Sequence, residues 1–259
     1  MSGFATWLVA QRARRVVFIA GLFPVPGLGL ISAAVVVMTA QVKGPREALL
    51  DCVFALIALA GMAWFSGMDV PLLLSSAAIS WLLWLALGTI VARTGSLALA
   101  AQVAVLVALA GLVVFNLATN DPVAYWAEVL ELLYADLATQ GIVVTADIEQ
   151  QARLMSGAII AGSLTGGMIV LLLGSAWASR VLDGNFGQQF TELRLGYVIG
   201  GLAALAGVAG LFGLGLDGAL LIFGVAFMFH GIAVVAWWSR RRGWPRGWWI
   251  GLCILPVLL

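Results

Sequence analysis

Apolar residues run through this chain in long blocks, interrupted by short polar links. Eight blocks stand out, over residues 16–38, 48–65, 70–92, 97–117, 156–178, 196–216, 219–238 and 247–259. A helix rises about 1.5 Å per residue, so about 20 apolar residues cross a hydrocarbon core about 30 Å thick. The pattern predicts an all-α fold, a polytopic integral membrane helical bundle of seven or eight transmembrane helices, as a single membrane domain over 1–259. Three spans fall within 48–117 and the remaining ones within 156–259. The last block is short and stops at Leu259 without a polar flank, so the natural chain is expected to run on.

The first block is different. It carries Phe23-Pro24-Val25-Pro26-Gly27-Leu28-Gly29 at its middle, where two prolines remove backbone donors and the glycines tolerate turning. A helix over 16–38 broken at Pro24/Pro26 is expected, with both halves returning to the starting side as a re-entrant hairpin.

Charge makes that choice consequential. The chain is 63% hydrophobic and only 10% charged, with a mean hydropathy of +1.09 and a formal net charge of +1, which excludes an ordinary soluble surface. With the first block folded back, Arg12, Arg14, Arg15, Lys43, Arg46, Arg93, Arg180, Arg194, Arg240, Arg241, Arg242 and Arg246 share one face, and Arg153 stands alone opposite. Letting the block span instead divides the cations nine against four at best. Because short cytoplasmic loops collect Lys and Arg, the hairpin reading puts the N-terminus in the cytoplasm and the protein in a bacterial cytoplasmic membrane. Asp69, Asp121, Glu128, Glu131, Asp136, Asp147, Glu149 and Asp217 then lie outside, against Glu47, Asp51, Asp183 and Glu192 inside.

The one long excursion, 118–155, reads as an extracytoplasmic amphipathic segment. Asp121-Pro122 is an N-cap and first-turn pair, after which Val123, Trp126, Leu130, Leu133 and Leu137 recur at spacings of three and four. Its polar side carries Glu128, Glu131 and Asp136, so the apolar stripe is expected against the bundle or the outer interface, as a packed connector or as a lid. Thr145 with Asp147 and Glu149 marks a second helix start.

Candidate chemistry is sparse. His230 sits near the middle of the seventh block, where an ionisable group is costly and calls for a use. It reads either as a neutral core histidine or as a ligand contact or proton carrier. Asn116 and Gln102, with Ser75, Ser76 and Ser80, could line a polar site with it, or act as interhelical glue. Asp51, within reach of Lys43 or Arg46, reads as an interfacial ion pair. Gly162/Gly166, and Ala203/Gly207 with Ala206/Gly210, form small-residue pairs suited to close helix packing. Arg240, Arg241, Arg242 and Arg246, set among Trp177, Trp237, Trp238, Trp244, Trp248 and Trp249, read as a lipid or topology anchor within an aromatic belt. Cys52 and Cys253 lie in apolar blocks and read as packed hydrophobes. No phosphate loop, HExxH, GxSxG or Cys/His ligand set occurs, so no catalytic residue, metal or cofactor is assigned, and nucleic acid is not an expected partner.

The link between the fifth and sixth blocks is unusual for a short connection. Phe186, Phe190, Leu193 and Leu195 stand among Gln188, Gln189, Glu192 and Arg194. A helix spacing of four and three puts Phe186, Phe190 and Leu193 on one face, to dock on this bundle or on another protein, with Arg180 and Arg194 flanking.

The stretch from Ala178 to Leu195, with its basic start, Gly184-Asn185-Phe186-Gly187 turn, polar Gln188-Gln189, Phe190 and Leu193-Arg194-Leu195, resembles the signature loop of the YybS-like family of uncharacterised bacterial membrane proteins. Ile31-Ser32-Ala33-Ala34, Lys43-Gly44-Pro45-Arg46-Glu47 and His230-Gly231-Ile232-Ala233-Val234-Val235 are similar too. The family's usual Pro-Gly-Gly turn is absent. The resemblance implies a fold distantly similar to the S components of energy-coupling-factor vitamin transporters and to the MreD cell-shape protein, and carries over no site residue. Two functions follow: a non-enzymatic scaffold subunit contacting other membrane subunits, or a small-molecule-binding subunit whose pocket opens outward beneath the 121–140 helix.

Overall fold

The computed structural model describes residues 2–142, 144, 147–212 and 215–243. Among them are eleven helices: α1 Ser2–Ala10, α2 Arg12–Leu22, α3 Gly29–Val42, α4 Pro45–Ser66, α5 Val70–Thr94, α6 Leu97–Ala118, α7 Pro122–Thr139, α8 Ile148–Val181, α9 Phe186–Thr191, α10 Gly196–Leu211 and α11 Asp217–Arg241. Six helical stretches are long and apolar enough to cross a bilayer: α4, α5, α6, α8, Phe186–Leu211 and α11. This falls below the expected seven or eight for two reasons. The first apolar block makes two helices that are each too short, and block 247–259 lies outside the described residues.

Contacts divide the chain into two compact units. Unit 1 comprises Met1–Val103, Gly166–Arg194 and Gly231–Leu259, and unit 2 comprises Ala104–Thr165 and Leu195–His230.

Unit 1 is organised around α3. With 14 residues, α3 extends only about 21 Å, about two thirds of a hydrocarbon core. Ser32 through Ala40 are buried without a break, so no face of this part of α3 is left outward. A helix apolar all round belongs inside other protein. Glycines on its neighbours make room. A Cβ on Gly88 of α5 would meet Val37 and Ala40 at 3.0–3.1 Å, and one on Gly174 of α8 would meet the Ala34 carbonyl and Val37 at 2.7 Å. Its polar side chains are satisfied: Ser32 Oγ donates to the Ile19 carbonyl (2.7 Å) and Thr39 Oγ1 to the Val35 carbonyl (2.8 Å). Gln41 Nε2 donates to Ser175 Oγ at 2.8 Å.

Between α2 and α3 the chain reverses through Phe23–Leu28, with Gly27 at φ +78°. The amides of Val25, Leu28 and Gly29 donate to the carbonyls of Leu22, Val25 and Val25. Pro24 and Pro26 have no N–H to satisfy, so the turn carries two fewer backbone donors in need of a partner. The turn is pinned by Phe23, whose ring meets fully buried Trp81 edge-on at 5.2 Å.

Unit 2 holds most of α6, the first half of α8, α7, α10 and the start of α11. Asp121 caps α7 as its sequence predicts, accepting from the amides of Val123 and Ala124 at 3.0 Å. The α7 stripe is turned slightly from the expected one: Leu130 is buried and Leu133 is 47% exposed. Tyr134 takes the inner place, its hydroxyl donating to Gln151, while Trp126 Nε1 donates to Ser156 Oγ at 2.7 Å. Thr145 lies outside the described residues, and Asp147 caps α8, accepting from the Glu149 and Gln150 amides.

Candidate functional site

The hairpin brings α2 alongside α4, and with it a charge network that sequence spacing misassigned. Asp51, fully buried, is paired with Arg15 and Arg12, not with Lys43 or Arg46. Arg15 Nε and Nη2 donate to its two oxygens at 2.5 and 3.3 Å, Arg15 Nη1 donates to the Val9 carbonyl at 2.7 Å, and Arg12 Nε stands 3.2 Å from Asp51 Oδ1. Arg12 also pairs with Glu47, and this hydrogen bond holds its guanidinium above the ordinary range. Two cations and two carboxylates so interlocked cancel locally, and Arg15 spends a further donor on backbone, which helps to satisfy a buried pair. The network ties α1, α2 and α4 together and offers no free group for chemistry.

In unit 2 a cavity of about 220 Å³ opens beside the start of α7. Asn116, Arg153 and Ser156 supply its polar wall and Leu112, Val123 and Leu216 part of its apolar one. It adjoins a wider open cleft rimmed by Asp121, Glu149, Arg153 and Asp217, where Arg153 pairs with Glu149 at 2.5 Å.

The polar residues expected to share one site have different recorded neighbours. Asn116 lines the cavity, whose lining includes neither Gln102 nor His230. Gln102 Nε2 donates to the Arg194 carbonyl at 2.8 Å. His230 is half-buried on α11. Ser75 and Ser76 donate to α5 carbonyls three residues back, and Ser80 accepts from Trp84 Nε1. Among the described residues no group of three or more His, Cys, Asp or Glu is arranged to hold a metal ion.

The segment after α8 closes with Asp183 at φ +52° and the Gly184 amide donating to the Ser179 carbonyl at 2.7 Å, a helix stop of the Schellman kind. In short α9, Phe186 and Phe190 stack at 6.1 Å and are half-buried, while Leu193 is 1% exposed. The Arg240 guanidinium stands beside Gly187, so close that an added Cβ would be 1.5 Å from its nitrogen. Arg180 and Arg194 are exposed. Arg241 and Arg242 lie over the rings of Trp237 and Trp238 at 5.1 and 4.7 Å, and Arg246 lies outside the described residues. The glycine beside which Arg240 stands carries no sequence signal beyond the turn itself.

The small-residue pairs separate by use. A Cβ added at Gly166 would meet Leu30 at 3.3 Å and one at Gly210 would meet Leu220 at 3.4 Å, whereas one at Gly162, Gly200, Gly201 or Gly207 would meet nothing within 4 Å among the described residues. A pair that sequence inspection passed over is the tightest: a Cβ on Gly157 of α8 would stand 2.2 Å from the Gly218 Cα of α11.

Comparison with known proteins gives no match to a family model, to a curated protein or to a solved structure.

Proposed function

We propose that this chain is a non-catalytic scaffold subunit of a bacterial cytoplasmic membrane complex, oriented with its N-terminus inside and recognising another membrane protein through helix faces within the bilayer. The observation that supports the reading is α10. Gly200 and Gly207, with Ala204 between them, lie along one stripe, and among the described residues nothing stands within 4 Å of a Cβ added at either glycine. Leu205 and Val208 beside it are 68% and 53% exposed. Helix association in lipid relies on close backbone approach over small residues, and α8 and α11 use Gly157 and Gly218 in just that way. The twelve-to-one cation asymmetry supports the orientation, and the resemblance to the YybS-like group agrees with a membrane-partner role.

A photocrosslinker at Leu205 in native membranes is expected to capture a protein, and Gly200→Leu with Gly207→Leu to abolish capture at unchanged yield and melting temperature. Capture of lipid alone contradicts the reading. The second reading, a small-molecule-binding subunit akin to S components, is favoured by the cavity beside Asn116, Arg153 and Ser156. A small molecule retained through purification and lost in Asn116→Leu would favour it over the scaffold.

A further inference from the structure

The N-terminal helix has a chemistry that neither reading uses. At nine residues α1 reaches about 13 Å, too short to cross a bilayer. It buries Ala5, Leu8 and Val9 in unit 1 and leaves Phe4 and Trp7 41% and 44% exposed. These two join Phe18 of α2 and Trp177 of α8 in a ring cluster, with Phe4 at 5.7 Å from both Phe18 and Trp177 and Trp7 at 6.0 Å from Phe18. Exposed tryptophan at the end of apolar helices belongs at headgroup depth.

One arginine packs on this ledge, and a second lies one helical turn beyond its Trp177. Arg14 lies over the Trp7 ring at 4.4 Å and spends one donor on the Trp7 carbonyl, at 2.9 Å. Its neighbours Arg12 and Arg15 are consumed by Glu47 and Asp51, yet among the described residues Arg14 has no carboxylate within 4 Å. Among the described residues, most of its N–H donors have no acceptor. Arg180 follows Trp177 by three residues on α8, hence on the same face. It is exposed and likewise has no carboxylate within 4 Å among the described residues.

We propose that this ledge binds the headgroup of an anionic phospholipid, with Arg14 and Arg180 contacting the phosphate and Phe4, Trp7, Phe18 and Trp177 seating the glycerol and upper acyl region. A guanidinium fork matches a phosphodiester in shape and charge. Its stacking on Trp7 holds Arg14 in place before the lipid arrives. The exposed rings select a lipid over a soluble anion, because a free phosphate has nothing to lay on them.

The test uses the full chain with a photocrosslinker at Phe4, in nanodiscs of phosphatidylcholine and phosphatidylglycerol, with captured lipid identified by mass spectrometry. Phosphatidylglycerol should be captured above its bulk share. Arg14→Gln with Arg180→Gln should lower that preference by about thirtyfold, from about 1 kcal/mol per basic residue near an anionic surface. Arg93→Gln, which removes a cation elsewhere on the same predicted face that has no carboxylate within 4 Å among the described residues, should not change it. Capture at the bulk ratio, an equal loss in Arg93→Gln, or displacement of the lipid by inorganic phosphate would each overturn the proposal. A double variant with a lowered melting temperature is replaced by charge-retaining Arg14→Lys with Arg180→Lys, where most of the preference should persist, and its disappearance would count against the site.

Discussion

At the residue scale the decisive contact is Arg15 with Asp51. Two charges withdrawn from water cost more than their attraction returns unless every donor and acceptor is used, and removing one partner strands the other. Asp51→Asn is therefore expected to destabilise the protein by about 3–5 kcal/mol, read as a fall in melting temperature in detergent. Arg15→Met combined with Asp51→Leu, which strands nothing, should recover most of the loss. An unaltered Asp51→Asn protein would mean that the pair does not hold the hairpin. Sequence distance hid this contact, since Lys43 and Arg46 are nearer to Asp51 along the chain. The signal was nonetheless present: a hairpin that returns α3 to its starting side carries residues 12–15 back beside 47–51. The same three-arginine run contains one member, Arg14, that is left over, and only the structure separates it from the two that are spent.

At the element scale, glycine divides packing from exposure. Gly157 permits backbone contact with Gly218, so Gly157→Ala must push α8 from α11 and is expected to cost at least about 1–3 kcal/mol. Gly201→Ala enters open space and should be neutral or stabilise by about 0.5–1 kcal/mol through helix propensity. Thermal melting of the two variants side by side checks both signs, and equal losses would contradict the packing described. The sequence displays small residues at four-residue spacing in both helices but says nothing of which face meets protein, because lipid and core are equally apolar. That is why the spans were legible in position and length while their inward faces were not. The amphipathic α7, which has a polar side, was readable to within one residue: Asp121 caps it and Leu130 is buried, with Tyr134 in the place expected for Leu133.

At the scale of the whole molecule, hydropathy locates the apolar segments, and backbone chemistry decides which of them cross. Pro24, Pro26 and Gly27 stop one helix and begin another, and α3, buried throughout from Ser32 to Ala40, is accommodated by Gly88 and Gly174 of helices far along the chain. Those glycines carry no mark in sequence of the helix they receive. The neighbours of Gln102 and Asn116 were equally illegible, because shared polarity in apolar blocks does not specify a shared partner: Gln102 donates to the Arg194 carbonyl, and Asn116 lines the unit 2 cavity. The central claim is that the first apolar block enters the membrane and returns. With Cys52 and Cys253 replaced by alanine, single cysteines at Gln11, Lys43 and Gln140 can be probed with a membrane-impermeant maleimide in intact cells and in inverted vesicles. Gln11→Cys and Lys43→Cys are expected to react only in inverted vesicles and Gln140→Cys only in intact cells. Reaction of Gln11→Cys and Lys43→Cys from opposite sides would show that the block spans, and would contradict the account.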